Sequence, residues 1–171
     1  VGQGRYRIHV PANWNGRLVM YAHGYAGEGN TLGVSNPSIR RHLIQQGYAW
    51  AASSYSKNYY DVRAGVEDTN ALALAFTKIA AANNRTLAAP KKIYIMGRSM
   101  GGHIAAAAVE KETLTRAINK VKYSGAVPVC GVVGDTDLYN YFSAYQAAAQ
   151  YLAGMPATAF PTPDFASIKP K

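Results

Sequence analysis

Cysteine is nearly absent: Cys130 stands alone, so no internal disulfide can staple this chain and its core must come from packed apolar side chains. The apolar neighbours Val129, Val132 and Val133 predict that this one thiol is buried. Charge is sparse too. Only 16% of residues are charged against 49% apolar, which excludes a disordered chain and fits a globular one. No apolar run approaches the roughly 18–20 residues that cross a bilayer, so no transmembrane segment is expected. No signal-peptide pattern opens the chain, which begins at once with strand-like residues. Histidine is scarce: four His and one Cys, with no H-x-x-x-H or C-x-x-C spacing, predict no metal site and no cofactor. The glycine-bearing stretch 24–33 lacks Gly-Lys-Ser/Thr and is not a phosphate-binding loop.

Acidic residues are the scarcer charge, 9 against 18 basic, and the net charge is +9. The basic residues are dispersed, and the longest basic runs are pairs such as Arg40-Arg41 and Lys91-Lys92. Between Lys111 and Lys122 they interleave with Glu112 as on a solvated helix face. With no RNA-binding aromatic motif, zinc finger or helix-turn-helix pattern, nucleic acid is not an expected partner.

What is present is alternation of short apolar runs with helical patterns. Residues 5–10 alternate as a strand, and the short Pro/Asn/Gly turn at 11–16 predicts that this strand is antiparallel. Residues 18–22 are apolar throughout, as in a strand covered on both faces. Asn36-Pro37 offers a helix start and Gly47 a stop. Further strands are expected at 48–54, 92–96 and 123–133, the last bent or at an edge because of Gly125 and Pro128. Helices are expected at 66–82 (Leu72, Phe76, Ile79 and Ala80 inward), 103–110, on to Lys120, and 138–153 before Gly154. Strands alternating with helices imply a mostly parallel sheet with helices on both faces. Residues 1–155 read as the N-terminal part of a catalytic domain, and 156–171 as a proline-rich tail or the entry to a lid.

Gly97-Arg98-Ser99-Met100-Gly101 matches G-x-S-x-G in the frame the motif needs, between an apolar strand and a helix built from alanine. There the serine sits on a sharp turn as a nucleophile, Gly97 and Gly101 leave room for neighbouring backbone, and the helix N-terminus points amides at it. His23-Gly24-Tyr25 leaves the upstream apolar strand. The backbone N–H groups of Tyr25 and Met100 are the candidate donors for the oxyanion of ester hydrolysis. Tyr25 as an aromatic cap over the core is the competing reading. His23 and Gly24 read as supports of that loop. Tyr55, Tyr59 and Tyr60 cluster in one loop, either lining an acyl groove or packing on the surface.

The run Arg-Leu-Val-Met-Tyr-Ala-His23-Gly24-Tyr25, then Gly47-Tyr48-Ala49, then Gly97-Arg98-Ser99-Met100-Gly101-Gly102 resembles secreted bacterial α/β-hydrolase esterases. Met100-Gly101-Gly102, with Tyr25 after His-Gly, is similar to cutinase-like and polyester-degrading enzymes. Ser54-Tyr-Ser-Lys-Asn58 and Gly65-Val66-Glu67-Asp68 look like a lidded subgroup. The resemblance spans residues 5–153. It implies an α/β-hydrolase fold, a serine carboxylesterase, a secreted or periplasmic location, and family roles for Ser99, Met100 and Tyr25 only.

The departure from that pattern lies in the base. In α/β-hydrolases the acid and then the histidine come after the serine, yet the only later histidine is His103, one turn along the same helix. His9 and His42 read as surface residues. Asp135 and Asp137 are candidates for the acid, although Asp137 suits the N-cap of the helix from Leu138 onward. The acid and base are therefore expected in a C-terminal fragment of the same enzyme, outside these residues. A peptidase or thioesterase on the same fold, or a non-catalytic binding protein, are the rival readings.

Overall fold

The computed structural model describes residues 4–134 and 136–159, in two compact units divided between Val133 and Gly134. The first holds β1 (Tyr6–His9), β2 (Arg17–Ala22), α1 (Arg40–Gln45), β3 (Ala49–Ser53), α2 (Val62–Ala82), β4 (Lys92–Arg98), α3 (Met100–Ala107), α4 (Lys111–Arg116) and β5 (Gly125–Val129). The second holds α5 (Asp137–Leu152) and a short 3-10 turn, Ala157–Ala159.

The strands form one sheet in the order β1-β3-β2-β4-β5. β2, β3, β4 and β5 are parallel, and β1 is antiparallel as expected. Its partner is β3, with Tyr6 opposite Ser53, and not the next strand in the chain. β2 and β3 are apolar because both faces are covered: Leu18, Met20, Ala49, Ala51 and Ile95 meet α2 and α3 through Leu72, Phe76, Met100 and Ile104. On the opposite face Val19, Trp50 and Ala52 pack with Leu43 of α1. Beyond α1 that second face stays open, as an apolar groove of about 470 Å³ that includes Tyr94, Met96 and Val127.

Several element ends differ from expectation for local reasons. α1 starts at Arg40 with no side-chain cap. Asn36, the expected cap, instead accepts a 2.5 Å hydrogen bond from Arg7. α2 starts earlier than residue 66 because the Asp61 carboxylate caps it, accepting from the Ala64 amide at 2.8 Å. α3 begins at Met100, directly after Ser99. The solvated face of α4 is as expected, with Glu112 paired to Arg116.

Two expectations fail. The Cys130 thiol is exposed. It comes directly after the edge strand β5, and of the apolar neighbours that suggested burial Val129 and Val133 are themselves 38% and 67% exposed. Within the second unit, Thr136 is the N-cap of α5, with no side-chain cap bond, and Asp137 is the first helical residue. Its charge at that end suits the helix dipole, but it is not the cap. Asp135 lies outside the described residues.

Candidate active site

The chain runs outward from β2 to β3, then crosses back through α2 to β4 on the other side of β2. Connections therefore diverge at the carboxyl ends of β2 and β4, and such a divergence leaves a crevice where open α/β sheets bind ligands. The register aligns Ala22 with Gly97. Hence the segment His23-Gly24-Tyr25 and the segment Arg98-Ser99 leave the sheet side by side.

Ser99 stands at φ 59°, ψ −126° between β4 and α3. A non-glycine residue held there is strained, a condition that persists only when its surroundings over-determine it. The determinants are visible. The Ser99 amide donates to Val129 O at 2.9 Å, and Ser99 O accepts from His103 N at 3.1 Å. A Cβ on Gly97 would stand 2.0 Å from Gly101 O, and one on Gly101 would stand 2.0 Å from Ala22 O. The flanking glycines thus let strand, turn and helix touch backbone to backbone. Met100 is the first residue of α3. Among the described residues neither its amide nor that of Tyr25 donates to a protein acceptor.

The loop after β2 is held from beneath. His23 is buried, and its ring stacks on Tyr55 at 4.0 Å. Its Nδ1–H donates to Gly24 O at 2.6 Å, which leaves the buried Nε2 without a partner among the described residues. The Tyr55 hydroxyl donates to His23 O at 2.9 Å, and burial pushes that phenol far above its ordinary pKa. Further along the loop the buried Asn58 amide donates to Gly29 O and Thr31 O at 3.0 and 3.1 Å. Tyr55→Phe would leave the His23 carbonyl unpaired, at a cost of about 1–3 kcal/mol. A lowered melting temperature is the expected result. An unchanged one would show that the carbonyl finds another donor.

Ser99 is exposed to a cleft of about 500 Å³, lined also by Tyr21, Gly24, Tyr25, Arg98 and Cys130. Tyr25 is 50% exposed, so it is a wall of this cleft and not a cap over the core. Tyr59 and Tyr60 do not line it, and Tyr55 belongs to the core. The sequence reading missed Tyr21, Arg98 and Cys130. Strand alternation could have found the first two, because Tyr21 pairs with Met96 and Arg98 lies two residues beyond it on the same face.

The structure does not bring a base to the serine. Among the described residues no side chain hydrogen-bonds the Ser99 hydroxyl, and His103 Nδ1 meets the Tyr60 hydroxyl at 3.2 Å. His9 and His42 are exposed, as expected. Asp137 belongs to the second unit. No group of three or more His, Cys, Asp or Glu suited to a metal occurs among the described residues.

Residues 7–159 match the model of the family BD-FAE. The chain belongs to the BD-FAE family. No curated protein matches this member by sequence. Its structure is similar to esterase B from Lactobacillus rhamnosis inhibited by a C6-C4 SN3 compound, with 21% identity and a TM-score of 0.54 over 86% of this chain and 50% of that one. A C4-C4 SN3 tributyrin phosphonate complex of the same esterase gives 19% identity and a TM-score of 0.52, covering 91% of this chain and 57% of that one. The likeness shows the fold: this BD-FAE chain has the α/β-hydrolase fold, and it spans about half the length of those solved structures.

Proposed function

We propose that this BD-FAE chain carries the nucleophile half of a serine carboxylesterase. The observation that carries the reading is Ser99 itself, held at φ 59° between β4 and α3, with Met100 next in the chain as the first helical residue, and open to a cleft that Tyr25 also lines. Ser99 Oγ attacks the ester carbonyl, and the two amides stabilise the oxyanion of the tetrahedral intermediate. The alcohol leaves, and water then cleaves the acyl-enzyme to release the acid and restore the hydroxyl. A histidine paired with a carboxylate, in the remainder of the polypeptide, takes the serine proton and returns it to the leaving alcohol.

The half-length match to solved esterases supports that division of labour, as does the open sheet face beside Met96 and Val127. Polyesters and short-to-medium acyl esters are the proposed substrates, and a secreted or periplasmic location goes with them by resemblance. The test is hydrolysis of short p-nitrophenyl esters by the full-length protein, set against matched thioester and peptide substrates. Ester turnover well above the other two is the expected result. Preferential peptide cleavage would overturn the proposal.

A further inference from the structure

Among the described residues, the cleft beside Ser99 contains a cation and no anion. Of the described side chains that line it, Arg98 is charged, Tyr21 and Tyr25 carry hydroxyls, and none is Asp or Glu. The ion pairs found among the described residues join Lys57 to Asp61 and Arg116 to Glu112, so Arg98 has no carboxylate partner there. Its placement comes from the strand. Ile95 faces the α2–α3 core, Met96 faces the α1 side, and the two-residue period puts Arg98 on the α1 side at the carboxyl end of β4. Tyr21 reaches the same side from β2, opposite Met96. The two side chains sense each other: burial raises the Tyr21 phenol pKa, and the Arg98 charge opposes that rise.

An arginine is always ionised, and its planar fork of donors matches a carboxylate. With no carboxylate partner among the described residues, its charge lowers the energy of a ligand that brings a negative charge beside the scissile carbonyl. We infer that Arg98, with the Tyr21 hydroxyl, forms a carboxylate-binding subsite next to Ser99, so that the preferred substrates are esters with an acidic group near the scissile carbonyl. Hemiesters of short dicarboxylic acids are the simplest members of that class. The inference rests on the esterase reading, and it adds a choice among esters that the serine alone does not make.

The experiment compares ethyl butyrate with monoethyl succinate, a pair that differs in a terminal carboxylate, on the full-length protein, with ethanol release as the readout. The wild type should favour the hemisuccinate, and Arg98→Gln should reduce the ratio of the two kcat/KM values by about tenfold, chiefly through KM. Arg98→Lys, which keeps the charge without the fork, should recover part of that ratio. A fall on both esters with the ratio intact would make Arg98 a structural residue and overturn the subsite. Calorimetric titration with succinate separates the two readings. If neither ester is cleaved the esterase reading fails, while succinate binding that is lost in Arg98→Gln still supports the subsite. No succinate binding to the wild type would overturn it.

Discussion

Ser99→Ala in the full-length protein is expected to lower ester turnover by about four to six orders of magnitude, the usual cost of removing a nucleophile. The fold should survive. Alanine retains the Cβ, so it experiences the same strain at φ 59° and keeps the backbone bonds to Val129 and His103. The hydroxyl itself has no side-chain partner among the described residues whose loss would add a penalty. Measured kcat should collapse while the thermal unfolding profile stays in place, and a fluorophosphonate probe should label the wild type at this serine and leave the variant unlabelled. Activity near the wild-type level would remove Ser99 from the mechanism altogether.

Gly101→Ala should damage the protein more than the size of a methyl group suggests. The added Cβ would stand 2.0 Å from Ala22 O and 2.7 Å from His23 O, both of them backbone atoms at the end of β2. Neither atom can rotate out of the way. To fit, α3 must lift from the sheet, or the loop carrying Tyr25 must move, and either shift separates the Tyr25 and Met100 amides. Overpacking of this kind costs about 3 kcal/mol, read as a lower melting temperature, together with loss of esterase activity. Gly33→Ala is the control. A Cβ there meets nothing within 4 Å, so its effect should stay within about 0.5 kcal/mol.

The elements that sequence reasoning located best were those whose environment is uniform along their length. Residues 18–22 read as a covered strand because Leu18, Val19, Met20 and Ala22 of β2 are buried, with only Tyr21 partly open, and Leu72, Phe76 and Ala80 repeat on the buried face of α2. The serine turn was legible because its glycines are dictated by backbone approach, which leaves few other residues possible. Reading failed where an outcome depended on a neighbour distant in sequence. Asn36 is drawn from its capping role by Arg7 of β1, and β1 pairs with β3 because β3 takes the place beside β2.

Cys130 is the sharpest case. Hydrophobic neighbours predict burial only if something covers them, and Val129 and Cys130 lie at a sheet edge on which no further strand pairs among the described residues. Pro128 had signalled that edge. Tyr21 and Arg98 escaped notice because each is ordinary alone; only the pairing of β2 with β4 brings them to one cleft.

The contact between α3 and the end of β5 divides the site into two mechanical parts. A Cβ on Gly102 would stand 2.7 Å from Val129 O and 2.8 Å from Gly131 Cα, and the same Val129 carbonyl receives the Ser99 amide. Serine, helix and strand end are therefore packed as one block, with little slack to recoil under the acylation proposed for Ser99. The opposite wall has more room: the half-exposed Tyr25 leads into a loop tied down through Asn58 at Gly29 O and Thr31 O, in which side chains added at Gly27, Gly29 and Gly33 would meet no neighbour within 4 Å. Anvil and jaw are thus separate segments of the chain: the first resists redesign, and exchanging the second is the economical way to admit esters of a different girth.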